Sequence, residues 1–140
     1  MPQNHTETEY KRKFRTLVGV WSGVYEPGKG AGLGAPDLQI LVSKKLFPIE
    51  MKCGELKGSS VVASRIRPAQ ISWHQDFLMA GGTAFTLVCF GKISAMHAWA
   101  LPSCHRDVTS KWKEGWAIED GQWWLRDGLW VQPLKKLVEV

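Results

Sequence analysis

The sequence predicts an α/β protein: a central mixed sheet flanked by helices, with a Trp-rich antiparallel extension at its C-terminal end. Three observations predict it. Apolar runs of strand length recur at residues 38–42, 46–51, 83–90 and 93–101. Two other stretches carry helical signals: Tyr10, Phe14 and Leu17 stand at i, i+4 and i+7, and a segment beginning at Pro68 runs to Gly81-Gly82. From Val108 onward the composition changes, and Trp112, Trp116, Trp123, Trp124 and Trp130 make five of the eight tryptophans.

Length and composition bound the answer. The 140 residues suit one domain with a core of useful size, divided here into a core (1–107) and an extension packed on it (108–140). Apolar residues at 44% and charged residues at 22% are those of an ordinary globular protein. A net charge of +5 fits a nucleic-acid partner. No apolar run approaches the ~20 residues of a membrane span, and the polar N-terminus has no signal-peptide core. Cys53, Cys89 and Cys104 are odd in number and lack metal-site spacing, which suggests reduced thiols in a cytoplasm.

The first helix is expected over residues 6–17. Thr6 and Glu9 have capping-box spacing, and Glu7, three residues before Tyr10, falls on the inward face. Lys11, Arg12, Lys13 and Arg15 make the helix basic, either as a solvated face or as one that contacts phosphate. Residues 18–26 alternate as a strand. The glycine-rich stretch 27–34 is superficially like a phosphate-binding loop, but no Gly-Lys-Ser/Thr leads into a helix, so no nucleotide site is expected. Lys29 would touch DNA if that loop did.

Two strands follow, joined near Lys44-Lys45, with Pro48 tolerated near the start of the second. Residues 53–64 read as a polar connection, and Arg65 and Arg67 add charge after it. On the second helix Gln70 and His74 share a face at i, i+4. Taken alone, Gln70 reads as a surface residue, His74 as structural, and Trp73 and Phe77 as core. His97 reads as a satisfied, partly buried histidine, and Cys104-His105 has no zinc-spaced partner. In the tail, Asp120-Gly121 and Asp127-Gly128 are hairpin-turn signals flanking residues 122–125, and residues 134–140 read as a short helix or strand. The tail tryptophans form a satellite core or are exposed for base stacking or subunit association.

One constellation carries chemistry. A hairpin of residues 38–42 and 46–51 brings Asp37, at its start, near Glu50, and strand alternation points Glu50 and Lys52 the same way. Two carboxylates and an ammonium then converge at one end of a sheet. Such carboxylates suit a hard cation such as Mg²⁺, and the lysine suits an anionic transition state.

Pro36-Asp37 and Glu50-Met51-Lys52 resemble the two halves of the PD-(D/E)XK nuclease motif. Gly34 before them, the run from Arg67 to His74 after them, and Ala80-Gly81-Gly82 are similar to the VRR-NUC branch and the related phage and archaeal junction resolvases. The resemblance covers residues 34–90 well, the N-terminal helix loosely and the C-terminal third not at all. It implies a restriction-endonuclease-like core and a Mg²⁺ or Mn²⁺ ion held by Asp37, Glu50, the Met51 backbone carbonyl and a first-helix acid, Glu7 in preference to Glu9. Lys52 would orient the nucleophile, Gln70 would orient the water or a phosphate, and Lys29, Arg65, Arg67, Lys11 and Arg12 would contact DNA. The implied function is a structure-selective DNA endonuclease of the Holliday-junction-resolving type, homodimeric and cytoplasmic, in the host cytoplasm if phage-encoded. The alternatives are a flap, nicking or restriction-type nuclease of the same fold, or a non-cutting DNA-binding module.

Overall fold

In a computed structural model of the chain, the structure describes residues 7–24, 35–36, 38–63, 67–102 and 116–137. Helix α1 (Glu7–Val18) buries Tyr10, Phe14 and Val18, one apolar stripe at four-residue spacing. Gly19, at φ +69°, takes up the left-handed conformation that ends it. The strand expected over residues 18–26 is therefore shorter where it is described: Val18 stays in the helix, and β1 spans Ser22–Val24.

Strands β2 (Leu38–Val42) and β3 (Lys45–Lys57) form a hairpin in which Leu38 pairs with Ile49 and Val42 with Lys45. Its two-residue turn, Ser43-Lys44, holds both residues at positive φ, the type I′ geometry that suits the twist of the flanking strands. Pro48 pairs with Gln39 on the β2 side. The parallel partner β5 (Phe85–Phe90) begins opposite Ile49, so Pro48 stands just outside that second ladder.

The polar connection expected over residues 53–64 is, where it is described, a pair of strands joined by a turn. β3 runs on to Lys57, and β4 (Ser60–Ala63) returns along it in a hairpin that turns at Gly58, φ +63°. Exposed Glu55, Leu56 and Lys57 hide this strand from any search for apolar alternation.

Helix α2 (Pro68–Met79) bridges from β4 to β5, which lies parallel to β3; it ends before Gly81, at φ +96°. A short 3₁₀ turn (Ile93–Ala95) occupies the start of the strand expected over 93–101, and β6 is His97–Pro102. Then come β7 (Trp116–Ala117), a second 3₁₀ turn (Ile118–Asp120), β8 (Gln122–Arg126), β9 (Leu129–Trp130) and the one-turn α3 (Leu134–Leu137). Asp127-Gly128 makes the hairpin turn it signals, joining β8 to β9. Asp120-Gly121 does not, because β7 pairs with β4 while β8 pairs with β6.

The strands form one curled mixed sheet in the order β1-β2-β3-β5-β6-β8-β9, with β4 and β7 branching from the far half of β3. Among the described residues, all pairings are antiparallel except β3 with β5. Alternate residues of β5 enter two cores. Phe85, Leu87 and Cys89 join Ile49 and Met51 under α1, whereas Val88 and Phe90 join Trp99, Leu101 and Trp116 on the other face. Burial on both faces explains why β5 is apolar apart from Thr86. Trp124 of β8 packs against both Phe14 and Phe85, and the Trp130 indole N–H donates to the Leu17 carbonyl at 3.0 Å. The described tail thus belongs to the main sheet and to both of its cores, with Trp124 and Trp130 on the α1 side and Trp116 on the other.

Gly54 marks where β3 leaves β5 and takes up β4. A methyl group there would collide with the Val88 side chain and come within 2.7 Å of the Val62 carbonyl oxygen. Gly54→Ala is expected to destabilise the fold by roughly 1–3 kcal/mol, the usual cost of overpacking. The urea unfolding midpoint measures it, and an unchanged midpoint would mean that the bend yields freely.

Candidate functional site

Lys52 organises the site. On β3, Ile49 and Met51 turn into the α1 core, so Glu50 and Lys52 face the opposite side, toward α2. Thr86 stands beside Glu50 in the parallel register, and Val88 beside Lys52. The buried polar or charged side chains among the described residues are Glu50 (4% exposed), Lys52 (6%), Gln70 (5%), His74 (7%) and Thr86 (5%). All five lie on this one face or on the helix that covers it.

Their geometry is specific. Lys52 Nζ donates a hydrogen bond of 3.1 Å to Gln70 Oε1 and lies 3.9 Å from Glu50 Oε2. The second distance gives Coulombic attraction but is too long for a hydrogen bond. Gln70 Oε1 also accepts from the Arg67 backbone N–H at 2.9 Å. This is the returning half of a capping box at the helix start; a guanidinium has no acceptor, so Arg67 cannot supply the other half. Pro68 fixes the first turn. One amide oxygen therefore ties the beginning of α2 to the ammonium on β3. Local pattern alone reads Gln70 as a surface residue; the resemblance puts it at the site, and the structure brings it to Lys52.

His74, one helical turn beyond Gln70, is buried, and its Nε2 has no hydrogen-bond partner. Burial first, and the Lys52 charge second, lower its pKa to about 4, so the imidazole is neutral near pH 7. In sequence, a lone histidine on a helix reads as structural. The signal that it belongs here was its i, i+4 spacing from Gln70. Thr86 was missed altogether, because its place beside Glu50 appears only once the β3–β5 register is known.

The other candidates fall in different places. Asp37, Lys29 and Arg65 lie outside the described residues. Met51 commits its side chain to the α1 core, which leaves only its backbone for a metal role. Glu7 is half-buried on α1, and its charge acts on Cys53 and Cys89, which belong to the face opposite Lys52. Glu9 is exposed and also raises Cys53. Lys11 is half-buried and Arg12 exposed, both on α1, and Arg67 is exposed at the head of α2. Burial, with Glu7 adding to it, pushes Cys53 up to about 11; burial also pushes Cys89 up, so both thiols stay protonated near neutral pH. Among the described residues no group of three or more His, Cys, Asp and Glu converges to hold a metal ion. The buried Glu50 carboxylate is a donor of the hard type that Mg²⁺ takes, and it would need partners beyond that described set. No helix among the described residues is long and apolar enough to cross a membrane.

No protein-family model matches this chain, and no curated protein does.

His74 also makes stability depend on pH. Its folded pKa of about 4 lies below the ordinary 6.5, so between these values the unfolded chain binds more protons. The stabilisation is complete above pH 6.5, is lost as pH falls toward 4, and amounts to on the order of 3 kcal/mol. In His74→Gln the urea midpoint is expected to fall less steeply between pH 6.5 and 4 than in the native protein. Equal slopes would show that the imidazole is not held neutral.

Proposed function

We propose that this protein is a metal-dependent, structure-selective DNA endonuclease with a restriction-endonuclease-like core of the PD-(D/E)XK type. The observation that carries the reading is the buried Lys52–Gln70 hydrogen bond of 3.1 Å beside the Glu50 carboxylate. Support also comes from the element order α1-β1-β2-β3-β4-α2-β5, in which the antiparallel β2–β3 hairpin and the added strand β4 precede a helical crossover to a strand parallel to β3. Apart from β4, which stands between the strand of Glu50 and Lys52 and the helix of Gln70, this follows the order that the resemblance implies.

The roles follow from charge and position. Glu50, with Asp37 and the Met51 carbonyl, would hold Mg²⁺ or Mn²⁺. When bound, such an ion shields the phosphate charge and lowers the pKa of a bound water. Lys52 would set its ammonium against the negative charge that grows on the phosphate, where a preorganised cation in a water-poor site is most effective. Gln70 fixes the ammonium in direction, so little reorganisation is needed as charge develops. His74, neutral near pH 7, adds no competing positive charge.

Lys52→Met keeps much of the side-chain volume and removes the charge, while Glu50→Gln removes the carboxylate with little change in shape. Each is expected to lower the single-turnover cleavage rate at least ~100-fold, the scale of losing one preorganised electrostatic contact. DNA affinity should stay within a few-fold, because it comes mainly from surface lysines and arginines on phosphate. The measurement uses labelled linear, nicked, flapped and four-way DNAs with and without Mn²⁺. Cleavage of none of them by the native protein would leave a non-cutting DNA-binding module, and full activity in both variants would remove the site assignment.

A further inference from the structure

We propose that the Trp21 indole is a stacking platform for a nucleobase of a single-stranded DNA segment whose backbone leads to Glu50 and Lys52. The ligand class rests on the nuclease reading; the platform itself rests on the placement of the ring. Trp21 directly precedes β1, and its carbonyl accepts from the Leu41 N–H at 3.0 Å, so it extends the β1–β2 ladder. A Cβ built on Gly23 would lie 2.7 Å from Cη2 of Trp21 and 3.2 Å from Nε2 of Gln39. The indole therefore leans over Gly23, on the face to which Gln39 points. Only a glycine leaves room for it there.

That face is the one carrying the site. Gly23, Gln39 and Pro48 are in register across three strands, so they share a face. Pro48, Glu50 and Lys52 alternate onto it along β3. Two strand spacings across and two residues along put the ring about 12 Å from Glu50, on the order of three nucleotides at the ~3.4 Å rise of a stacked strand.

Trp21 is 55% exposed, whereas the other described tryptophans are buried or half-buried. Leu41 and Leu46 lie beside it and are also exposed. This apolar strip amounts to a few hundred Å², well short of the ~800 Å² per partner of a stable protein interface. A single base covers an indole face and needs no larger patch. Stacking tolerates any base, since each has a π-face, which suits a contact that positions a strand rather than reads its sequence. The basic chain, at +5, supplies attraction for the backbone.

The test is fluorescence anisotropy in EDTA, with a labelled thymidine oligonucleotide and a set of copies each lacking one base but keeping every phosphate. Trp21→Ala is expected to weaken binding of the intact strand roughly tenfold, Trp21→Phe to restore most of it, and Trp21→Leu to behave as Trp21→Ala. In the native protein one base deletion should cost about as much as Trp21→Ala, and in Trp21→Ala the same deletion should cost nothing further. Unchanged affinity in Trp21→Ala, or native affinity in Trp21→Leu, overturns the proposal, as does native protein that ignores the intact strand. Light scattering in which Trp21→Ala turns a dimer into a monomer overturns it too, by making a second copy the occupant. Because binding is read without metal, absent cleavage with intact stacking would sink the nuclease reading alone; normal cleavage with unchanged binding would sink only this proposal.

Discussion

Placing the Lys52 ammonium beneath α2, out of water, is the constraint on which the rest of the structure depends. Burying one charge costs several kcal/mol even after relaxation, so its surroundings must return that energy. Gln70 returns part of it through a direct hydrogen bond, and Glu50 part through its charge. Gln70 can do so only because the first turn of α2 is fixed, by Pro68 and by the bond from the Arg67 N–H to the same amide oxygen. The parallel β3–β5 pair supplies the floor, with Thr86 and Val88 next to the two charges. Gly54 keeps that floor close to β4, where any side chain would strike Val88.

The opposite face of the sheet does different work. There α1 lays Tyr10, Phe14 and Val18 on Ile49, Met51 and Leu87, with Trp124 between Phe14 and Phe85. Trp130 satisfies one of the helix's terminal carbonyls, Leu17, so the far end of the chain closes the end of its first helix. Tyr10 donates to the Gly91 carbonyl at 2.8 Å and pins the loop after β5. Cys53 and Cys89 sit in this face with protonated thiols, which behave as packing groups. β3 is thus held from behind by an apolar layer while its other face carries charge. A strand so held keeps the spacing between Glu50 and Lys52 fixed.

Features set by local periodicity were legible in the sequence. The stripe of α1, the strands around the Ser43-Lys44 turn, the shared face of Glu50 and Lys52, and the limits of α2 at Pro68 and Gly81 all follow from neighbours in the chain. Features set by distant pairing were not. The far half of β3 and β4 carry the pattern of a polar connection, because Glu55, Leu56 and Lys57 are exposed and only the partner strand defines them. Asp120-Gly121 carries a hairpin signal, yet β7 and β8 take partners from elsewhere in the sheet. Burial of Thr86 and His74 depends on the β3–β5 register and on which side of α2 meets the sheet, and neither is written locally. Gln70 is the instructive middle case: its local pattern pointed to the surface, and only the resemblance pointed inward.

The uneven spread of buried polarity bears on why the cluster exists. An ion pair at 3.9 Å is poorly matched as a stabilising device, and apolar replacements for buried pairs are often neutral or favourable. The orphaned Nε2 of His74 adds a second cost, since a buried polar atom without a partner forfeits its hydration. Among the described residues, two other buried polar side-chain atoms lack partners, the indole nitrogens of Trp116 and Trp124. They belong to separate cores, one on each face of the sheet, and their rings contribute large apolar contact in exchange. Packing compromise therefore accounts for the tryptophans one at a time, whereas Glu50, Lys52, Gln70, His74 and Thr86 concentrate their costs on one face. The proposed function would supply a return for that concentration, because a charged substrate entering this face would meet the Lys52 ammonium and the orphaned His74 nitrogen.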